Sequence, residues 1–153
     1  MPPTSARAIL VAGLIAGVLD ITGAFAFSAV RGVGPVRVLQ FIASGLLGAS
    51  AFQGGAGTAA LGLGLHFVIA MGAAAVYWAA SRRIALLTTH PVPSGLLYGI
   101  AVYFFMNLVV LPLSAVPPRP FVVSPAMIVI HMLCVGLPIA VVLRRLARGS
   151  DPP

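Results

Sequence analysis

The sequence is nearly empty of acidic residues and contains no lysine. Its 153 residues include nine arginines and two aspartates, Asp20 and Asp151, and charged residues make up only 7% of the chain. A soluble domain carries roughly 25% charged residues, because its surface must be wetted. Hydrophobic residues make up 60% of this chain. The composition therefore excludes a soluble globular domain and predicts an integral membrane protein.

Cysteine and catalytic motifs are scarce as well. The single cysteine, Cys134, lies inside an apolar run, so no intrachain disulfide is expected and cysteine usage indicates no redox compartment. The chain has no Gly-x-Ser-x-Gly elbow for serine hydrolysis. The glycine-rich stretch Gly54–Gly57 is not followed by the Lys-Ser/Thr of a phosphate-binding loop. These absences favour a protein that is not an enzyme.

Long apolar runs dominate what is present, and they predict an all-α bundle forming a single transmembrane domain over residues 1–153. A helix of about 20 apolar residues spans a hydrocarbon core of roughly 30 Å. Asp20 in the middle of the first run argues against a cleaved signal peptide, so this run is expected to be retained as a span. The four predicted spans are Ala8–Val30, Thr58–Ala80, Ser94–Val116 and Pro125–Leu143.

The apolar run Val38–Phe52 has only 15 residues. At 1.5 Å per residue it covers about 22 Å, which predicts a re-entrant or interfacial helix instead of a span. A fifth span remains the alternative. With four spans the arginines divide six against three between the two sides, and with five they divide seven against two. Either count places the C-terminus in the cytoplasm.

The arginines lie singly or in pairs at the ends of the apolar runs. This placement indicates membrane orientation and not nucleic-acid binding. Abundant alanine, glycine and arginine without lysine favour a bacterial source, and hence an inner (plasma) membrane. The bilayer itself is the first expected partner of the chain.

Four polar side chains lie deep in the predicted spans: Asp20, His66, Asn107 and His131. An ionisable group at the bilayer centre costs on the order of 3 kcal/mol, so it is a functional candidate by default. Counted from one side of the membrane, the four positions fall within about 7 Å of one another at 1.5 Å per residue. The sequence therefore predicts one intramembrane polar cluster with a member from each span. The open alternative is that Asp20 is neutral, or hydrogen-bonded to His66 or Asn107 as a structural latch.

Small residues and prolines predict how these helices pack and bend. Gly13-x-x-x-Gly17 lies on the same helical face as Asp20 and is a pattern that lets helices approach closely. Pro112 and Pro138 each remove a helical donor, which predicts kinks that free the carbonyls of Leu108 and Cys134.

Three functional hypotheses follow. In the first, the cluster moves protons or a small solute, with Asp20 as the carrier, His66 and His131 as relay partners and Asn107 holding the geometry. The protein would then act as a homo-oligomer or as a docked subunit of a larger membrane complex. In the second, His66 and His131 ligate a haem, with Gly62, Gly64 and Gly136 making room for the macrocycle. In the third, the chain is purely a structural or assembly subunit.

Cofactors are not expected apart from this haem alternative. Asp20, His66 and His131 are enough donors for a metal ion, but their spacing is not diagnostic of a zinc site. The sequence therefore leaves a metal site open.

Short strings spread over the chain supply a resemblance. They are Ser94–Gly99, Tyr103, Met106-Asn107, Pro112–Ser114, Leu39–Gly48 and Gly62–Ala70. These strings resemble an uncharacterised family of small polytopic bacterial inner-membrane proteins. The resemblance implies the same kind of protein here, and because no activity is attached to that family, it assigns no binding or catalytic residue.

Overall fold

A computed structural model describes residues 3–148, with side chains described for residues 5–146. Over this range every regular element is helical and no strand occurs, which confirms the predicted all-α class. Five of the helices are long and apolar enough to cross a membrane, and the chain is a multi-pass membrane protein. The elements are α1 (Pro3–Ala29), α2 (Pro35–Leu47), a 3₁₀ helix (Gly48–Gln53), α3 (Gly55–Ser81), α4 (Leu86–Thr89), α5 (Pro91–Leu113) and α6, which begins with Pro125–Ile130 and ends with Leu137–Arg148.

Proline sets the start of three of these helices. Pro35, Pro91 and Pro125 each occupy the first turn of α2, α5 and α6, where the missing N–H has no helical partner to lose. Ser124 caps α6 by accepting a hydrogen bond from the backbone N–H of Met127. The predicted third span is therefore shifted: α5 begins at Pro91 instead of Ser94 and ends at Leu113 instead of Val116. The last helix also continues past Leu143 to Arg148.

Helix α1 runs antiparallel to both α3 and α6. A Cβ atom added at Gly13 would lie 2.9 Å from the Met71 Cα, and one added at Gly17 would lie 2.7 Å from the Phe67 ring. Higher residue numbers in α1 thus face lower residue numbers in α3, which is the antiparallel arrangement. The two glycines lie at this helix contact. On α6, Gly23 faces Ile130, while the start of α1 packs with the end of α6 through the cluster that contains Ala8, Ala12, Ile139 and Leu143.

The start of α1 and the end of α6 consequently lie at one end of the bundle, which we call the terminal end. The connection between α3 and α5 lies there too. Residues 30–55 and 114–124 lie at the opposite end, which we call the loop end. Because the start of α1 and the end of α6 lie at the same end, the chain crosses the bundle an even number of times.

The segment Pro35–Gln53 does not cross the bundle as a straight helix, although its length and composition would allow it. The Arg37 guanidinium lies 4.0 Å from the centre of the Phe52 ring, and Gln40 Nε2 donates to Gly55 O at 3.2 Å. In one straight helix residues 37 and 52 would be about 22 Å apart. The chain instead turns at Gly48, whose φ of 61° is readily adopted only by glycine.

Both ends of this segment therefore lie at the loop end. Helix α2 follows directly on α1 and reaches the end of α5, where Ala115 N–H donates to Gly45 O at 2.9 Å. The result is four spans plus one short helix. The expected short helix at Val38–Phe52 is present with different bounds: it starts at Pro35 as an α-helix and continues from Gly48 as a 3₁₀ helix.

The apolar core fills the terminal end. Its buried members come from α1, α3 and α6. Tyr77 and Tyr98 stack edge to face at 5.0 Å, and their hydroxyls donate to Leu87 O and Ala73 O. This packing closes the bundle at the terminal end and leaves the loop end more open.

Candidate functional site

A cavity of about 1260 Å³ extends from the loop end into the bundle. Its walls are mostly apolar and come from α1, α2, α3, α5, α6 and the connection 116–124. All four predicted polar residues, Asp20, His66, Asn107 and His131, line it. At its deepest point the lining includes Ala16 and Val135, which belong to the apolar core. The cavity is thus open on the loop side and closed on the terminal side.

Asp20 is the acid of this cavity. Its Oδ1 atom is buried and has no hydrogen-bond partner, and within residues 5–146 Asp20 makes no ion pair either. A buried carboxylate oxygen without a donor costs free energy whether the group is charged or neutral. The latch to His66 or Asn107 that the sequence allowed is absent among the described residues. Asp20 is therefore the member of the set with unused bonding capacity.

His66 is held by a neighbouring helix. It is buried, and its Nε2 lies 2.8 Å from Gly17 O. Since a carbonyl only accepts, Nε2 carries the hydrogen and Nδ1 is the acceptor in the neutral ring. This bond joins α3 to α1 one turn before Asp20. His66 therefore ties together the two helices that form one wall of the cavity.

Asn107 and His131 lie on π-helical turns, Met106–Val110 in α5 and His131–Gly136 in α6. In each turn the last donor, Leu111 N–H or Leu137 N–H, bonds to a carbonyl five residues back. A proline without an N–H comes next in both cases, Pro112 and Pro138, and its ring would crowd a normal helical turn. The wider turn relieves that crowding, and π-helical turns are frequent at functional sites.

Both of these side chains bond to their own helix. Asn107 Nδ2 donates to Tyr103 O at 2.9 Å, and His131 Nδ1 lies 2.8 Å from Met127 O. The carbonyl partner requires the His131 hydrogen on Nδ1, which leaves Nε2 as an acceptor in the neutral ring. No described residue contacts that Nε2 by a hydrogen bond. The predicted cluster thus shares one cavity, yet no hydrogen bond joins any two of its members in the described chain.

Tyr103 was missed as a site residue. It is buried, its ring meets the His131 ring edge to face at 5.5 Å, and its hydroxyl accepts from Ser124 N–H at 2.9 Å. This bond fastens the start of α6 to the middle of α5. Its position four residues before Asn107, on the same helical face, was the available signal.

The mouth of the cavity carries two arginines that were interpreted only as orientation signals. The Arg31 guanidinium lies 5.0 Å from the Phe27 ring centre, and the Arg119 guanidinium lies 4.5 Å from that of Phe41. Both arginines line the cavity, Arg31 from the turn after α1 and Arg119 from the connection 116–124. Neither is within ion-pair distance of an acid in the described part of the chain. Cation–π contact fixes their direction without cancelling their charge.

The geometry bears on the haem and metal hypotheses. Gly136 packs against the backbone of Gly95 and Gly99, and Gly62 packs against Leu39 O, so only Gly64 of the three glycines has open space beside it. The His66 Nε2 bond to Gly17 would have to break before that atom could ligate iron. No group of three His, Cys, Asp or Glu side chains close enough to hold a metal ion occurs among the described residues.

No protein-family model, curated protein or solved structure matches this chain. The function is therefore argued from the geometry of the cavity.

Proposed function

We propose that this protein moves protons or a small polar solute through the membrane by way of the loop-end cavity, with Asp20 as the group that takes up the proton or binds the solute. The protein is not an enzyme in this proposal. His131 Nε2 and Asn107 supply further acceptors along the cavity wall. His66 supports the wall through Gly17 instead of acting as a free relay.

One observation carries the proposal. Asp20 Oδ1 is buried at the wall of a cavity that opens at the loop end, and no residue in the described part of the chain donates to it. A carboxyl group kept only for packing is expected to satisfy its oxygens with nearby donors. Asp20 instead keeps an acceptor free where a proton or a ligand donor can reach it.

Purified protein in liposomes that contain a pH-sensitive dye tests the proposal. We expect a potassium diffusion potential set with valinomycin to drive protons into these liposomes faster than into protein-free ones. Asp20→Asn is expected to lower the rate to the protein-free level, because the amide cannot carry the proton. Intact flux in Asp20→Asn would contradict the proton version.

Asp151→Asn is the matched control, since Asp151 is the only other acid in the chain. We expect this variant to keep the wild-type proton flux. An equal loss of proton flux in both variants would point to a general effect of net charge and would contradict the assignment of Asp20 as the proton-carrying group.

The proposal also includes a location and an orientation. An excess of arginines lies toward the terminal end, in Arg7, Arg82, Arg83, Arg144, Arg145 and Arg148. The loop end has Arg31, Arg37 and Arg119. The positive-inside rule then places the C-terminus in the cytoplasm of a bacterial inner membrane. Four spans are few for a carrier, which favours a homo-oligomer or a subunit of a larger complex.

A further inference from the structure

The cavity that contains Asp20 has groups of opposite charge at its interior and at its mouth. Its interior holds one carboxyl group, and its mouth holds the guanidinium groups of Arg31 and Arg119. The two signs do not meet, because none of these side chains forms an ion pair within the described residues. The two guanidinium groups are exposed at the mouth, whereas the Asp20 Oδ1 atom is buried, so the cost of a missing partner falls on Asp20.

The spacing of the two ends can be read along α1. Asp20, Ala24 and Phe27 follow helical spacing on α1, and Arg31 lies in the turn just after it; all four line the cavity. Because the Arg31 guanidinium stacks on Phe27, its charge lies near the level of residue 27. Seven residues separate this level from Asp20, which is about 10 Å along the helix.

A ligand that bridges the two ends must carry both signs. Because the axial separation is about two helical turns, such a ligand has its two charges at opposite ends of a short chain. A simple cation gains from Asp20 but is repelled by the arginines that it has to pass. A simple anion gains at the mouth and has nothing to donate to Asp20 Oδ1.

We infer that the cavity binds a small water-soluble zwitterion, with its ammonium group on Asp20 and its carboxylate on Arg31 and Arg119. The inference rests on the proposed function, because it names the solute class of the same cavity. An ammonium group supplies the donors that Asp20 Oδ1 lacks. The carboxylate matches the fork of the guanidinium group.

Zwitterionic lipid headgroups also carry both charges, but the order of these charges with depth is opposite to the order that the cavity requires. A lipid in the leaflet at the loop end has its phosphate deeper than its ammonium group. The cavity has its cationic groups at the mouth and its acid deeper, toward the core. The order of charges therefore favours a solute that enters from water with its ammonium group first.

Thermal unfolding of the purified protein in detergent tests the inference, with γ-aminobutyrate as the probe. Its matched single-charge analogues are n-butylamine and butyrate. We expect γ-aminobutyrate to raise Tm, by roughly 4 °C or more at about 100-fold above its Kd, and the two analogues to have little effect. An equal shift with n-butylamine or butyrate, or no shift with γ-aminobutyrate, would overturn the inference.

Three variants locate the binding groups. Asp20→Asn and Arg119→Gln are expected to abolish the shift by γ-aminobutyrate. Arg37→Gln is the matched control and is expected to keep it, because Arg37 stacks on Phe52 and does not line the cavity. Since Arg119 is exposed, its substitution keeps the test decisive even if Asp20→Asn fails to fold. If γ-aminobutyrate still raised the Tm of Arg119→Gln, the assignment of Arg119 as a carboxylate-binding group would be overturned.

Two further results separate this inference from its alternatives. A Tm shift by phosphatidylethanolamine in mixed micelles, with none by γ-aminobutyrate, would reject the soluble zwitterion in favour of a lipid. Proton flux that depends on Asp20 without any shift by γ-aminobutyrate would reject the solute class and leave the proposed function standing. An Asp20-dependent shift without Asp20-dependent proton flux would support the zwitterion and reject the proton version.

Discussion

At the residue scale, four polar side chains that look equivalent in the sequence have different roles in the structure. His66, Asn107 and His131 each bond to a backbone carbonyl. Asp20 alone of the four has no such partner in the described chain. The difference is chemical: a carboxylate only accepts, and backbone N–H groups inside helices are already used. A histidine or an asparagine can donate to a backbone carbonyl, whereas the Asp20 carboxylate needs a hydrogen-bond donor from outside the helices.

His66 gives a prediction at this scale. His66→Phe keeps a ring at a buried position but removes the donor to Gly17 O, so we expect the free energy of unfolding to fall by about 1 kcal/mol. Unfolding in mixed micelles of increasing dodecyl sulfate content measures this change. His90→Phe is the control, because His90 is exposed and lies before α5. If both variants lost the same stability, the bond to Gly17 would not be the cause.

At the element scale, glycine decides where helices touch. Gly99 faces His131 O and Met132 Cα, and Gly136 faces Gly95 O. This antiparallel contact sets the π-helical turn of α6 beside the stretch of α5 around Gly95 and Gly99, and the π-helical turn of α5 lies nearer the loop end. Gly13 and Gly17 serve the contact of α1 with α3 in the same way. Close approach of backbones is the usual basis of helix association in membranes, where lipid is as apolar as the side chains.

Paired alanine substitutions test this contact. We expect Gly99→Ala to lower the free energy of unfolding by about 1–3 kcal/mol, because its Cβ would overlap the backbone of α6. Gly64→Ala is the control, since nothing lies within 4 Å of a Cβ added there. It is expected to be neutral or to stabilise α3 by up to about 1 kcal/mol, through higher helix propensity. Equal effects of the two substitutions would show that helix contact at Gly99 is not tight.

At the scale of the whole molecule, the threading follows from packing direction and not from apolar length. Five helices satisfy length and composition for a span. The antiparallel contacts of α1 with α3 and with α6 require the start of α1 and the end of α6 at one end. The contacts of Arg37 with Phe52 and of Gln40 with Gly55 bring the segment 35–53 back to the side where it began. Four crossings are the consequence.

Cysteine labelling in intact membrane vesicles tests this threading. In a Cys134→Ala background, Val33→Cys and Gln53→Cys should react with a membrane-impermeant thiol reagent from the same side. Ala85→Cys should react from the opposite side. All three positions are exposed. Labelling of residues 33 and 53 from opposite sides would make Pro35–Gln53 a fifth span and would contradict the fold described above.

Much of the fold and part of the site were within reach of the sequence. Hydropathy located all four spans to within a few residues, because a bilayer fixes the length of apolar helix that it tolerates. At α5 both ends lie three residues earlier than predicted, because Pro91 starts the helix before the apolar run does. The polar residues were recognisable because ionisable groups are rare in spans. That these residues line one cavity is a result of the tertiary structure.

The hydrogen-bond partners of those residues could not be predicted from the sequence. Nothing in the spacing of His66 predicted a bond to Gly17 O, because that bond depends on the rotation of two helices about their axes. The arginines at the mouth were interpreted as topology signals alone. Arg119 becomes part of the cavity only because the connection 116–124 folds over α2, onto Phe41.

The sequence by itself determined that this chain is a helical membrane protein with one acid deep in its spans, since composition and apolar length depend on no long-range contact. Tertiary structure decided three things: that Pro35–Gln53 turns back at Gly48, that the four polar residues face one cavity, and that Asp20 alone of them has no partner among residues 5–146. Each of these depends on how helices are rotated and directed against one another. Glycine contacts and backbone hydrogen bonds between distant residues set that arrangement, and no local pattern encodes it.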